Sequence, residues 1–502
     1  MPMPAGSHRA SPSAARDIQT KSIASSTLWQ FGSQITMAAM SIIMVKFVAL
    51  ALSQELAGEY NSAYGYLQLF GILADFGLYA VAVREVSRVS GKEREHVLGT
   101  LLTLRCLILA LSMGSALLVA WLIPAWRGTP LPLGITIAAF VPSFVLLSGI
   151  IRVVFQIEYK MHFIFIAEVS QRLLTLLLTG ILIWMGVRDS TDTTIYYYFL
   201  AIGGLGALLL FLLSVIFGAR LQVVRPHFDK RLLRSLALKA APYGIAFLAT
   251  ALYRQFDVTL IALLRDDYPI QNAYYGFVQR MMDMAYLLPT FLLNSTLPIL
   301  SERDAKGEDT RSLLGKTFVT ILLIGSTAFL FSVLWPRPLM ELLTRESYLS
   351  TATTPGADTA LALLSVSMFC NGIILFAFYS LLTKHVWKPL VITLLLGSVV
   401  SVALNIVLIP QYGFVGASFT SIITHLLLAI LLLPQSLRVL PMKLTGEWVA
   451  RWAGFTALLG LCLWLMRPLL TGSLQTFGAL ILAIPLLGII AWITGIQRLF
   501  RA

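Results

Sequence analysis

Apolar residues run along this chain in long blocks separated by short polar stretches. Each block is about the 20 residues that a helix needs to cross a bilayer. Fourteen blocks can be drawn, at about 24–50, 61–83, 97–124, 132–151, 163–186, 194–218, 241–264, 271–299, 313–335, 357–383, 389–409, 414–437, 448–466 and 472–495. None shows the period-two alternation of a half-buried strand, and a lipid-embedded segment satisfies its own backbone as a helix. The pattern predicts an all-α polytopic membrane protein of about 14 transmembrane helices.

Composition agrees. Hydrophobic residues make up 58% of the chain and charged residues 12%, against about 25% charged in a soluble domain. Cys106, Cys370 and Cys462 all lie in apolar blocks. They read as small core residues, with neither a disulfide framework nor metal spacing. Residues 1–22 are polar and rich in Pro, Ser and Ala, with no apolar signal core, and read as a disordered tail.

A net charge of +13 first suggests nucleic acid, but position decides. Fourteen spans put both termini on one side. That side collects 26 of the 37 Lys and Arg, the other side six, and five lie inside spans. The asymmetry supports the span count, places both termini in the cytoplasm and accounts for the basic excess without nucleic acid. The longest connection between spans, near 219–240, is basic and separates spans 1–6 from spans 7–12. It reads as a solvated linker, with an amphipathic helix on the inner leaflet as the alternative. The expected division is 1–22 as tail, 23–219 as N-lobe, 220–240 as linker, 241–438 as C-lobe, and 439–502 as two further helices with a tail. The halves carry a faint repeat. Tyr60 and Tyr274, and Ser87 and Ser301, share one offset at the start and end of spans 2 and 8. Transporters built from such repeats place their site between the two bundles.

Nine charges fall more than three residues inside a span end: Lys46, Asp75, Arg105, Glu168, Arg172, Arg254, Asp257, Arg280 and Asp283. Each costs about 2.5–3.5 kcal/mol at mid-bilayer on insertion scales, so something compensates it. Spans 7 and 8 meet at the polar turn Arg265–Pro269, and each carries an Arg and an Asp three residues apart roughly 12–20 Å from that turn. The spacing predicts the ion pairs Arg254–Asp257 and Arg280–Asp283, and Glu168–Arg172 at four residues. A bland reading sits beside the functional one: each pair neutralises itself and only locks helices. Asp75, with no basic neighbour at helical spacing, is the expected proton carrier. Lys46 lies near a span end, where snorkelling is the plain alternative. His162 and His385 read as solvated. Gln30, Gln34 and Gln68 suit helix contacts or sugars. Tyr60, Tyr64, Tyr66 and Tyr196–Tyr198 suit an aromatic belt.

Spans 11 and 12 meet at Asn405-Ile406-Val407-Leu408-Ile409-Pro410-Gln411-Tyr412-Gly413, followed by Gly416-Ala417-Ser418. Proline ends one helix, glycine permits the turn and small residues open the next. This string resembles the hairpin of the multidrug/oligosaccharidyl-lipid/polysaccharide exporter superfamily, in its polysaccharide-type flippase branch. The resemblance extends to Gly58-Glu59-Tyr60, Phe256-Asp257 and Ala273-Tyr274. It implies a V-shaped pair of six-helix lobes plus two C-terminal helices in a bacterial inner membrane, working by alternating access. The implied cargo is an undecaprenyl-pyrophosphate-linked oligosaccharide.

On that reading Arg105, Arg172, Arg254, Arg280 and Lys46 bind the anionic headgroup, since guanidinium forks match phosphate oxygens. Asp75, Glu168, Asp257 and Asp283 handle a coupling H+ or Na+. The expected partners are the lipid-linked oligosaccharide, membrane lipids and the polymerase machinery of the same glycan, with no cofactor. The alternatives are a drug/cation antiporter of the same superfamily, a flippase for the peptidoglycan lipid precursor, or, from another class, a membrane polysaccharide polymerase or ligase. The antiporter would favour carboxylates over arginines. The polymerase would need a long outer loop, whereas the longest, about 336–356, has no paired His or acidic cluster.

Overall fold

The computed structural model describes residue 32 and residues 36–500 apart from His385, without the side chains of 297, 298, 301, 302, 304, 305, 499 and 500. The tail at 1–22, Gln30, Gln34 and His385 therefore lie outside the described residues.

Helices account for nearly all of the described chain. They are α1 (Thr36–Ala51), α2 (Gln54–Asp75), α3 (Leu78–Val86), α4 (Gly91–Leu122), α5 (Leu131–Ala138), α6 (Phe140–Ile157), α7 (His162–Trp184), α8 (Thr193–Ala219) and α9 (Lys230–Arg254). There follow α10 (Asp257–Leu264), α11 (Tyr268–Ala285), α12 (Leu287–Ala305), α13 (Arg311–Leu334), α14 (Pro336–Leu343), α15 (Ala357–Thr383), α16 (Trp387–Val439), α17 (Gly446–Met466) and α18 (Ser473–Ile493). Eleven helices among the described residues are long and apolar enough to cross a membrane. The 53-residue α16 is two helices folded at Gly413, where φ is 56° and ψ −136°. With α1 and the broken α11–α12 segment, these make up the fourteen spans.

The first six spans pack among themselves, with α6 and α7 on α8 and α2 on α4 and α5. Spans 7–12 do the same: α15 lies against α11, α13 and α16, and α9 against α16. The pair α17–α18 leans on α13 and α14. The two lobes meet along α2–α3 on one side and α9–α11 on the other. A Cβ on Gly58 would overlap the Pro269 carbonyl, so glycine is what lets α2 approach α11 there.

Three spans break where charge gathers. Span 2 stops at Phe76 and Gly77, both left-handed with φ of 44° and 68°. Span 7 stops at Gln255–Phe256, and span 8 at Tyr286. The connection expected over 220–240 is shorter in the structure, because α9 begins at Lys230 with Asp229 as its N-cap. The Asp229 carboxylate accepts from the Leu232 and Arg231 backbone and meets His96 Nε2 at 3.1 Å. The backbone donors above all, then His96, hold that carboxyl below the usual range. Of the cysteines read as core, Cys370 is buried, Cys462 half-buried and Cys106 exposed on α4.

Candidate functional site

The intramembrane charges do pair, but mostly not as helical spacing predicts. Arg254, the last residue of α9, donates through Nη2 to Asp283 Oδ1 on α11 at 3.0 Å. Its guanidinium also stacks on Tyr286, 4.9 Å from the ring centre. The expected Arg254–Asp257 pair is absent because the break at Gln255–Phe256 falls between the two residues. Asp257 instead opens α10, 1% exposed, and accepts from Tyr275 Oη at 2.6 Å and Asn405 Nδ2 at 2.7 Å. Two neutral donors, one of them from the Asn405 hairpin, thus hold a buried carboxylate.

The expected Arg280–Asp283 pair gives way too. Arg280 lies over the rings of Tyr60 and Tyr64 on α2, at 4.8 and 5.4 Å. This is a cation–π arrangement contributed from the opposite lobe. Arg172 on α7 stands within electrostatic reach of Arg280 and both tyrosines, and its Nε is buried without a partner.

Asp75 has a basic neighbour after all. Arg105 on α4, 1% exposed, reaches Asp75 Oδ1 at 2.8 Å and the Ala74 carbonyl at 3.2 Å. It thereby caps the broken end of α2, a partnership that spacing within span 2 could not reveal. Arg152 donates to Glu168 at 3.0 Å and stands over Tyr79 at 5.9 Å. Sequence reading had placed Arg152 in a loop, because the apolar block ends at 151 while α6 continues to Ile157. Lys46 Nζ donates to the Leu342 carbonyl at 2.8 Å, which ties α1 to the end of α14. It belongs to a contact between lobes, away from the arginines.

The central groups surround space. A cavity of about 300 Å³ between α2 and α9 is lined by Ile72, Asp75, Phe247, Thr250, Ala251, Arg254 and Gln255. A second, apolar cavity of about 350 Å³ lies between α1 and α11–α12, lined by Ile42, Met281, Met284 and Leu288 among others. Asp75 and Arg254 are the intramembrane charges that line the first cavity, while Arg172 and Arg280 meet at the Tyr60–Tyr64 pair. Two guanidinium groups brought together attract a multivalent anion. No group of three or more metal-ligating side chains occurs among the described residues.

At the end of the bundle opposite the basic loops, polar bonds join the lobes. Tyr268 Oη donates to Glu59 at 2.8 Å, Asn61 Nδ2 to the Asn272 carbonyl at 3.0 Å, and Asn272 Nδ2 to Ser62 at 2.9 Å. Arg345 pairs with Asp189 at 2.6 Å. In the sequence Glu59 was marked only through the Gly58-Glu59-Tyr60 motif, not as a buried charge.

The polysaccharide biosynthesis protein family model matches residues 23–304. Among solved structures, the lipid II flippase MurJ in an inward closed conformation superposes with a TM-score of 0.70 at 14% identity, over 93% of this chain and 98% of that one. An inward-facing multidrug resistance MATE family transporter of the MOP superfamily gives 0.59 at 12% identity, over 82% and 98%. A MOP superfamily transporter from Pyrococcus furiosus gives 0.57 at 12%, over 82% and 95%. No curated protein matches. These likenesses show the fold, two six-helix lobes with two further helices, and the family match reaches across more than half of the sequence. The chain belongs to the polysaccharide biosynthesis protein family of the multidrug/oligosaccharidyl-lipid/polysaccharide exporter superfamily.

Proposed function

We propose that this membrane transporter flips an undecaprenyl-pyrophosphate-linked oligosaccharide from the cytoplasmic to the outer leaflet by alternating access. One observation carries the reading. Arg172 from one lobe and Arg280 from the other converge on the same tyrosine pair, which brings two guanidinium groups from opposite lobes together within the membrane-spanning region. A diphosphate bridging them gains charge-assisted bonds from both lobes at once. The lateral apolar cavity beside α1 and α12 supports a lipid carrier, since it gives an acyl or prenyl chain an apolar contact while the headgroup is held inside.

The moving units in this reading are 23–219 and 241–438, joined through 220–240, with 439–502 riding on the second. The basic end is cytoplasmic and the membrane is the bacterial inner membrane. Arg254 is a headgroup ligand released from Asp283, and Arg105 positions the broken end of α2. Lys46 serves the outer contact between lobes. Asp257, held by neutral donors, suits H+ or Na+ exchange better than Asp75, whose partner is Arg105. Delivery to the polymerase machinery follows from the cargo. The drug/cation antiporter reading fits two converging guanidinium groups poorly, whereas a peptidoglycan lipid-precursor flippase shares the same headgroup chemistry.

Complementation of a flippase-deficient strain tests the reading. Arg254→Ala and Arg280→Ala are expected to lose glycan export at normal expression. Full export by both would refute it, as would gradient-driven drug efflux without a glycan phenotype.

A further inference from the structure

His425 lies in the second arm of α16, 1% exposed, inside the apolar core of the C-terminal lobe. Its Nδ1 faces the Ser421 carbonyl at 2.8 Å. A carbonyl only accepts, so Nδ1 carries a hydrogen. Nε2 is then the one ring position open to a second proton, and it is buried with no partner. The surroundings are not those of a satisfied core histidine. Ser401 Oγ, Thr420 Oγ1, Thr424 Oγ1 and Asn371 Nδ2 are also buried without partners, on the same arm, the facing arm and α15. Ser401 and His425 stand equally far from the Gly413 fold along the two arms, and therefore at similar depth.

The ring meets Tyr253 edge to face at 5.4 Å. Tyr253 is followed by Arg254, whose guanidinium lies within electrostatic reach of the imidazole. The titratable or charged groups around this ring are thus Tyr253 in contact with it and Arg254 within electrostatic reach, with Asp283 of α11 and Tyr286 at its C-terminal end held by Arg254. The first arm of α16 contributes hydroxyls and amides only, among the described residues.

We propose that His425 Nε2 is a proton-binding site of the C-terminal lobe, filled when an anionic headgroup occupies Arg254. The inference rests on the reading of Arg254 as a headgroup ligand. Arg254 is already paired with Asp283, and a phosphate arriving there adds further negative charge, which favours an imidazolium at His425 in this low-dielectric core. By linkage, the proton strengthens headgroup binding by the same factor. The proton enters from solvent as a free ion, and no covalent bond other than N–H forms.

The test adds inorganic pyrophosphate to purified full-length protein in weakly buffered detergent at about pH 6.5, where imidazole titrates. Wild type is expected to take up protons. His425→Gln is expected to bind pyrophosphate several-fold more weakly than wild type at this pH and, at saturation, to take up at most about half as many. Asp283 contributes equally to both proteins, so the difference isolates His425. Equal uptake overturns the proposal. A second arm needs no cargo. In ¹⁵N-histidine spectra, the ring signal that His425→Gln removes is expected to show two N–H groups in Arg254→Gln, at a pH where wild type shows one. A ring that gains no second proton with either pyrophosphate or Arg254→Gln also overturns it. If pyrophosphate fails to bind wild type while Arg254→Gln protonates the ring, the headgroup reading fails and the proton site stands.

Discussion

Tyr268 Oη donates to Glu59 Oε1 at 2.8 Å, tying the first turn of α11 to α2 across the boundary between lobes. Glu59 is 4% exposed, and its Oε2 is buried without a partner. A buried carboxylate kept by one phenol is a latch that a small change can open. Together with Asn61–Asn272 and Lys46–Leu342, it defines the state seen here as closed at the end opposite the basic loops.

Tyr268→Phe is expected to destabilise this closed state by about 1–3 kcal/mol, because Glu59 loses its donor while still buried. Each 1.4 kcal/mol is tenfold in population. Spin labels at the start of α2 and of α11 should therefore report a longer distance component that wild type lacks. Gly58→Ala is expected to act in the same direction, by forcing the Pro269 carbonyl away. An unchanged distance distribution in both variants would argue against a latch between the lobes here.

Asp283→Asn removes the counterion of Arg254. Pyrophosphate binding, measured by calorimetry, is expected to tighten by about tenfold, or about 1.4 kcal/mol. Turnover is expected to fall, because a headgroup held more tightly leaves more slowly. Weaker binding in this variant would mean that Asp283 does not compete with the headgroup.

Asp257 anchors a network inside the second lobe. Asp257→Ala leaves the Tyr275 phenol and the Asn405 amide buried without an acceptor, at a cost of about 2–4 kcal/mol. The midpoint of thermal unfolding in detergent should fall accordingly. Asp257→Asn keeps the shape, and its expected defect is in the dependence of transport on an ion gradient. Normal gradient dependence in Asp257→Asn would remove this residue from coupling.

The turn between α10 and α11 carries a pH dependence of its own. Arg265 grips Asp267 through Nε at 2.7 Å and Nη2 at 2.9 Å, and its Nη1 reaches the Pro410 carbonyl. Gln271 joins Asp267 to the Phe414 amide, next to the Gly413 fold. The Arg265 hydrogen bonds hold the Asp267 carboxyl below its usual range. A depressed carboxyl stabilises the folded state above the unfolded value, near 3.9, and that contribution is lost as pH falls through the folded one. Amide exchange at 265–271 and at 414 should accelerate below about pH 4 in wild type. It should be fast already at neutral pH in Arg265→Gln.

The spans were legible because each is an apolar block of bilayer length, and the uneven placement of Lys and Arg supported the count. The Pro410–Gly413 fold was legible because each of its residues has a backbone reason to be there. The partners of the buried charges were not. An i,i+3 rule assumes a continuous helix, and the chain breaks between Arg254 and Asp257. Arg105 meets Asp75, and Arg280 meets Tyr60, only because separate helices pack side by side. His425 escaped notice because a lone histidine in an apolar block carries no spacing signal, and its buried Nε2 is visible only in three dimensions.

The most direct test of the converging arginines is flipping itself, in proteoliposomes containing the purified chain and a fluorescent polyprenyl-pyrophosphate glycan. Arg172→Ala and Arg280→Ala are each expected to slow flipping by about tenfold or more, and Arg280→Lys to recover only part of the rate, since an ammonium lacks the planar fork. Wild-type flipping rates in both alanine variants would contradict the account.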